Sequence, residues 1–239
     1  MIDCYGCGSP NVLKVLLMLE EAELPYTFHK VNVYGAEQYS PQFLALNPNN
    51  KVPVIVDHDA AGGAPHTVIE SGAILFYLAE KIGRFFGRTS LERSEIMQWL
   101  MLQMGGIGPM FGQALHFQYI VPEGNDYARK RYLTEVKRLY DVAEMRLSQQ
   151  EWLGGRDYSI ADIAAWPWLA KYYNYKGIEL RLASFPNLSR WITAIEQRSA
   201  YRRIHESFSA LFKAGLADQR VANPDALDRF FGRGPYFRA

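Results

Sequence analysis

Strand signals crowd into the first seventy residues of this 239-residue chain and nearly vanish after residue 88, where apolar positions recur at helical spacing. That asymmetry excludes an all-β fold and a doubly wound sheet running the full length, and it predicts an α+β chain. Residues 1–6 read as a short strand. Pro10 marks a first helical turn, and Val12, Val15, Leu16 and Leu19 follow at helical spacing. A second strand is expected over Tyr26 to Val33, then a short helix or irregular turn from Gln38 to Leu46. Val54-Ile55-Val56 is a β-branched run stopped by Asp57, and His66 to Ile69 pairs back on it as a hairpin. A helix from Ser71 closes near Gly83, so residues 1–84 read βαβαββα.

Residues 88–212 read as an all-helical bundle. Thr89 and Ser90 with Glu92 and Glu95 open a long helix, and Gly105, Gly106, Gly108 and Pro109 predict a bend in it. Ala128, Tyr132, Val136, Leu139, Tyr140, Ala143 and Leu147 form one stripe. Ser159-Ile160-Ala161-Asp162 is a capping box with Asp in place of Glu, and Tyr158 is placed to staple onto Ile163. The helix it opens is apolar nearly all round through Leu169, which suits a bundle centre. Pro186 starts another helix, and a last one is expected from about Tyr201 to Phe212. The tail, 213–239, is expected to wrap the surface or be partly disordered.

A net charge of +1 gives no electrostatic case for nucleic acid or an acidic membrane surface. No run approaches the roughly 20 apolar residues that span a bilayer, and the first residues have no signal-peptide character. The two cysteines, Cys4 and Cys7, cannot staple a secreted scaffold, so a reducing, cytoplasmic setting is expected. The five histidines show no metal-ligand spacing, and no metal site is expected. Gly6-Cys7-Gly8-Ser9-Pro10-Asn11 falls short of a dinucleotide fingerprint, with Asn11 where the third glycine belongs. Cys4 and Cys7 have redox-dithiol spacing, but Cys4 lies inside a strand, where residues three apart face opposite sides roughly 10 Å apart. A disulfide needs Cα atoms within about 7 Å.

Two short segments point to a binding site. Pro53, at the mouth of the Val-Ile-Val strand, cannot donate to a sheet ladder, and a cis Val52-Pro53 bond would turn the backbone of Val52 outward. An extended peptide can pair with such groups like an added strand. Glu70-Ser71-Gly72 places an acid and a hydroxyl at a helix start, where backbone N–H groups await a carboxylate.

The order of Ser9-Pro10-Asn11, Asn50-Lys51-Val52-Pro53, Glu70-Ser71-Gly72 and Ser159-Ile160-Ala161-Asp162 resembles the cytosolic glutathione transferases over roughly residues 1–212. Leu46-Asn47-Pro48-Asn49-Asn50-Lys51, Gly105-Gly106-Ile107-Gly108-Pro109-Met110 and Trp152-Leu153-Gly154-Gly155 look most like the bacterial nu class of disulfide reductases. The resemblance implies a thioredoxin-like domain followed by a helical bundle, with glutathione as thiol co-substrate. It implies that Val52, after which Pro53 sets the turn, pairs its backbone with the cysteinyl unit. Glu70 and Ser71 would hold the γ-glutamyl end, and Lys51 and Gln38 the glycyl carboxylate. Ser9 and Asn11 would handle the thiol. The resemblance also implies a homodimer in which Arg131 reaches the neighbouring glutathione site. A helix N-terminus, a hydroxyl and an amide together favour a thiolate. The expected activity is glutathione-dependent disulfide reduction. The alternatives are conjugation or ether or peroxide cleavage of a hydrophobic electrophile, with Phe111, Phe117 and Trp166 near the pocket, or a non-catalytic glutathione binder.

Overall fold

The computed structural model describes residues 1–121, 123–172 and 182–236. The chain divides into two compact units, Met1–Leu78 with the chain from Ala200 onward, and Ala79–Ser199.

The first unit is built on a four-stranded sheet of order β2-β1-β3-β4, with β1 Ile2–Gly6, β2 Tyr26–Lys30, β3 Val54–Asp57 and β4 His66–Ile69. β1 pairs parallel to β2, and the β1–β3 and β3–β4 pairs are antiparallel. Ile2, Cys4 and Gly6 are the buried alternation of β1, and all four residues of β3 are buried, as a central strand requires. β2 ends at Lys30, short of the expected Val33, because the chain turns there into tight helical turns at Val33–Gly35 and Glu37–Tyr39. Helix α1, Pro10–Glu21, starts where Ser9 caps it and Pro10 fits its first turn, and it lays Val12, Val15, Leu16 and Leu19 into the core. A Cβ on Gly6 would meet the Val12 side chain at 2.6 Å, so this glycine lets α1 seat closely on β1. α2, Pro41–Leu46, is capped by Ser40, and α3, Ser71–Ile82, follows β4 directly.

The tail is more ordered than its composition suggests. α9 runs Ser199–Val221, nine residues beyond the expected end at Phe212, and α10 occupies Pro224–Phe231 with Asn223 as its cap. Both pack within the first unit. Lys30 Nζ meets Asp218 Oδ2 at 2.6 Å. Phe230 packs against the buried cluster Val31, Val33, Phe43 and Val54. The tail's last three residues, 237–239, lie outside the described residues.

The second unit is helical. α4, Ser90–Leu102, opens on a complete capping box between Thr89 and Glu92. The glycine-proline segment, expected as a bend, winds as a π-helical turn over Gln103–Ile107 and leads into α5, Gly108–Leu115. α6, Asp126–Gln149, buries Val136, Leu139, Tyr140, Ala143 and Leu147; Ala128 and Tyr132, nearer its start, are half-buried. α7, Ile160–Tyr172, is buried on every side through Leu169, and α8 spans Pro186–Glu196. Asp162 accepts the Ser159 N–H and hydroxyl at 3.0 and 3.1 Å, the reciprocal half of a capping box. It also accepts Leu153 N–H and Trp191 Nε1–H, both at 2.8 Å, so one carboxylate ties the 150–159 loop and α8 to the start of α7. The Tyr158 ring packs against Trp152 and Phe85, with the Arg198 guanidinium 4.0 Å from its centre. Phe111 and Trp166 are fully buried core residues rather than pocket walls, and Phe117 stacks on Tyr132.

Candidate active site

The loop 47–53 is held by its asparagines. Asn47 is 1 % exposed, and its side-chain amide donates to the Lys51 carbonyl at 2.7 Å while its oxygen accepts the Asn49 N–H at 2.9 Å. Asn50 takes a left-handed backbone, φ 48°, which asparagine tolerates. The Val52-Pro53 peptide is cis. Val52 is half-buried, Pro53 is buried, and Lys51 is exposed with its ammonium 6.0 Å from the centre of the Phe230 ring.

Asn49 reaches out of this loop and donates to Glu70 Oε1 at 3.2 Å, which joins the 47–53 turn to the start of α3. Glu70 sits at φ 66°, a left-handed conformation uncommon for glutamate, and its carbonyl accepts the first helical bond of α3 from Ile74 N–H. Non-glycine residues held there cluster at functional sites. The Glu70 carboxylate is exposed and Ser71 beside it is buried. Acid, hydroxyl and loop are thus brought together.

At the start of α1, Ser9 is half-buried and its oxygen accepts the Val12 N–H at 3.4 Å. Asn11 lies half-buried in the same first turn. The Cys7 thiol lies within hydrogen-bonding reach of the Ser9 hydroxyl, yet burial outweighs that bond and the charge of Lys30 and pushes the thiol up to about 11. Cys4, in β1, is pushed up to about 12 by burial, and both cysteines are free. Neither offers an appreciable thiolate at neutral pH. A small cavity of about 100 Å³ adjoins this corner, with Cys7, Ser9, Val33, Tyr34, Phe212 and Phe230 among its walls. The Tyr34 and Phe230 rings are 5.1 Å apart. A Cβ on Gly8 would fall 2.5 Å from the Phe212 Cα, so only glycine lets α9 run against this loop.

Gln38 and Arg131 complete the expected ligands, Gln38 in the first unit and Arg131 in the second. Gln38 is 2 % exposed and donates its amide inward to the Val33 carbonyl at 3.0 Å. That bond ties the side chain to its own loop. Arg131 belongs to the second unit and is exposed on α6. Conversely, Asn47 and Asn49 as loop-setting residues, and Tyr34, Phe212 and Phe230 as walls, were not singled out in the sequence. The Asn-Pro-Asn-Asn word and the Phe230-Phe231 pair were the available signals. His29 and His58 both bond Asp3, at 2.8 and 2.7 Å, and among the described residues no group of His, Cys, Asp and Glu could hold a metal ion. No helix among the described residues is long and apolar enough to cross a membrane.

A thioredoxin-like sheet with a cis-proline loop, an acid-hydroxyl pair at a helix start and a serine-capped first helix, followed by helices, defines a class. The chain belongs to the glutathione S-transferase family: the N-terminal-domain family model matches residues 3–80 and the C-terminal-domain model residues 107–199. It is 46 % identical over 221 residues to the disulfide-bond oxidoreductase YfcG of Escherichia coli K12, covering 92 % of this chain and 99 % of that one. Among solved structures it is similar to a glutathione transferase family member from Pseudomonas fluorescens with two glutathione bound (TM-score 0.80, 41 % identity, covering 84 % of this chain and 91 % of the other). It is also similar to a glutathione transferase from Pseudomonas putida with one glutathione disulfide bound per subunit (TM-score 0.78, 40 % identity, covering 84 % and 89 %).

Proposed function

We propose that this protein is a glutathione-dependent disulfide-bond oxidoreductase. What carries the reading is the corner at the start of α1: a serine hydroxyl and an asparagine amide, beside a cysteine whose thiol is pushed up to about 11. Such a corner stabilises a thiolate brought in by a ligand better than it makes one of its own. The relatives crystallised with two glutathione molecules or with glutathione disulfide hold the reactants and the product that this chemistry requires.

In this reading Glu70 receives the ammonium of the γ-glutamyl unit, and Ser71 with the first N–H groups of α3 receives its carboxylate. The Val52 backbone pairs with the cysteinyl unit, with Pro53 shaping the approach, and Lys51 meets the glycyl carboxylate. Gln38 fixes the loop behind that end. The thiolate of the first glutathione, hydrogen-bonded by Ser9 and Asn11, attacks one sulfur of the disulfide. A new S–S bond forms, the old one breaks, and the departing thiolate takes up a proton. A second glutathione thiolate then attacks the glutathione sulfur of the mixed disulfide, giving glutathione disulfide and releasing the other half of the substrate as a thiol. Two glutathione thiols are oxidised and one disulfide is reduced, with no protein disulfide formed. The working unit is a cytoplasmic homodimer in which Arg131 serves the neighbouring subunit's site; exposed Leu91 and Met101 on α4 and Tyr127 and Met145 on α6 are available to such an interface.

The apolar walls Tyr34, Phe212 and Phe230 beside Ser9 favour a second reading, attack of the same thiolate on a hydrophobic electrophile. Turnover of a hydroxyalkyl disulfide, a hydroperoxide and a chloronitrobenzene separates the two. Fastest turnover of the disulfide is expected; turnover of chloronitrobenzene alone would replace the first reading by the second.

A further inference from the structure

Lys14 is the least expected residue of the core. It lies in the second turn of α1 among Val12, Leu13, Val15, Leu16 and Leu17, and it is 1 % exposed. A buried ammonium forfeits its hydration, and an apolar side chain of the same length would fill the space without that penalty. Its ammonium lies 3.3 Å from the Ser71 hydroxyl, across 57 residues of sequence. Glu70, one residue before α3, is a charged group that acts on it. Glu21, the other buried charged residue of α1, is two turns further along the helix.

We propose that Lys14 is a positioning residue of the γ-glutamyl subsite, placing a buried positive charge behind Ser71 that attracts the ligand's α-carboxylate to the start of α3. The inference rests on the assignment of Glu70 and Ser71 to the γ-glutamyl unit. An ammonium only donates, so toward Lys14 the Ser71 oxygen is an acceptor, and the hydroxyl proton is directed elsewhere, as donation to a carboxylate requires. Lys14, α3's first N–H groups and the hydroxyl then act on the anion, and Glu70 acts on the adjacent ammonium. A zwitterionic amino-acid end fits this pair of opposite charges; a simple amine or simple acid satisfies only half of it.

Burial lowers the Lys14 ammonium to about 7, with Glu70 opposing the shift. A carboxylate bound close by favours the protonated form, so ligand binding near neutral pH draws in a proton. S-methylglutathione, which has no thiol to titrate, is the probe. Binding is measured by calorimetry from pH 6 to 7.5, in buffers of different ionisation heat, for the wild type, Lys14→Met and Glu70→Gln. The same is done with the analogue lacking the α-carboxylate. Lys14→Met is expected to melt at or above the wild-type temperature and to bind S-methylglutathione roughly ten-fold or more weakly, the scale of one charge-assisted bond. Deleting the carboxylate should weaken the wild type strongly and Lys14→Met little further. The wild type should take up protons with S-methylglutathione and fewer with the analogue.

Equal losses on deleting the carboxylate from both proteins would overturn the proposal. Should Lys14→Met fail to fold, the wild-type proton uptake decides alone, and equal uptake with both ligands would overturn it. Unchanged affinity in Glu70→Gln, with the analogue binding the wild type as tightly as S-methylglutathione, would instead remove the γ-glutamyl assignment beneath it.

Discussion

A serine caps α1 where a protein-thiol mechanism needs a cysteine, and the nearby Cys7 thiol is pushed up to about 11 by burial. Cys4→Ser and Cys7→Ser are therefore expected to keep most disulfide turnover. Ser9→Ala should lose roughly ten-fold, the scale of one hydrogen bond, and Asn11→Ala as much or more. The double variant should lose less than the product of the two, because both groups serve one sulfur. Ultraviolet thiolate absorbance of bound glutathione should show the ligand pKa rising in Ser9→Ala and Asn11→Ala and unmoved in the cysteine variants. Loss of turnover confined to Cys7→Ser would falsify the ligand-thiolate mechanism. Glu70→Gln keeps shape and loses charge, so glutathione affinity should fall by about 1.5–3 kcal/mol. Asn49→Ala offers a subtler check: its amide links the 47–53 loop to Glu70 at 3.2 Å, so a rise in glutathione KM with kcat little changed is expected from steady-state kinetics. The Asn-Pro-Asn-Asn word was visible in the chain, but not which amide turns inward and which reaches Glu70.

The capping signals marked helix starts well. Ser9-Pro10, Thr89 with Glu92, and Ser159 with Asp162 each begin the helix their chemistry favours. Helix ends were harder to read. The last helix was expected to end near Phe212, yet α9 continues through Gly215 to Val221, where Leu211, Phe212 and Leu216 wall the Ser9 corner and Asp218 pairs with Lys30. Such long-range contacts override a local glycine penalty of about 1 kcal/mol. Asp162 is the polar centre of the helical unit, accepting from Leu153, Ser159 and Trp191 while fully buried. Asp162→Ala orphans those donors, and urea unfolding should show a loss of about 3–5 kcal/mol. Phe230→Ala uncovers part of the Val31, Val33, Phe43 and Val54 cluster and removes the ring beneath Lys51. About 1–2 kcal/mol of stability should go, with a higher KM for glutathione.

At the scale of the whole molecule, light scattering at micromolar concentration should give twice the chain mass, and Arg131→Ala should weaken the second glutathione more than the first. A clean monomer would remove both expectations. The sequence by itself determined the division into a sheet-bearing start and a helical remainder, because hydrophobic period is a local property that each segment carries unaided. It also carried the site's chemical vocabulary: a capping serine, a proline-led strand, and an acid and hydroxyl at a helix start. Tertiary structure alone decided what those residues face. Gln38, polar and unremarkable in the chain, is folded inward onto Val33, while Phe230, near the end of the chain, comes to lie beside Lys51. Lys14 reads locally as one more solvated lysine on an amphipathic helix; only the folded chain puts it out of water and against Ser71 at the start of α3. Burial and partnership between residues distant in sequence depend on how the whole chain closes, and no local pattern encodes them.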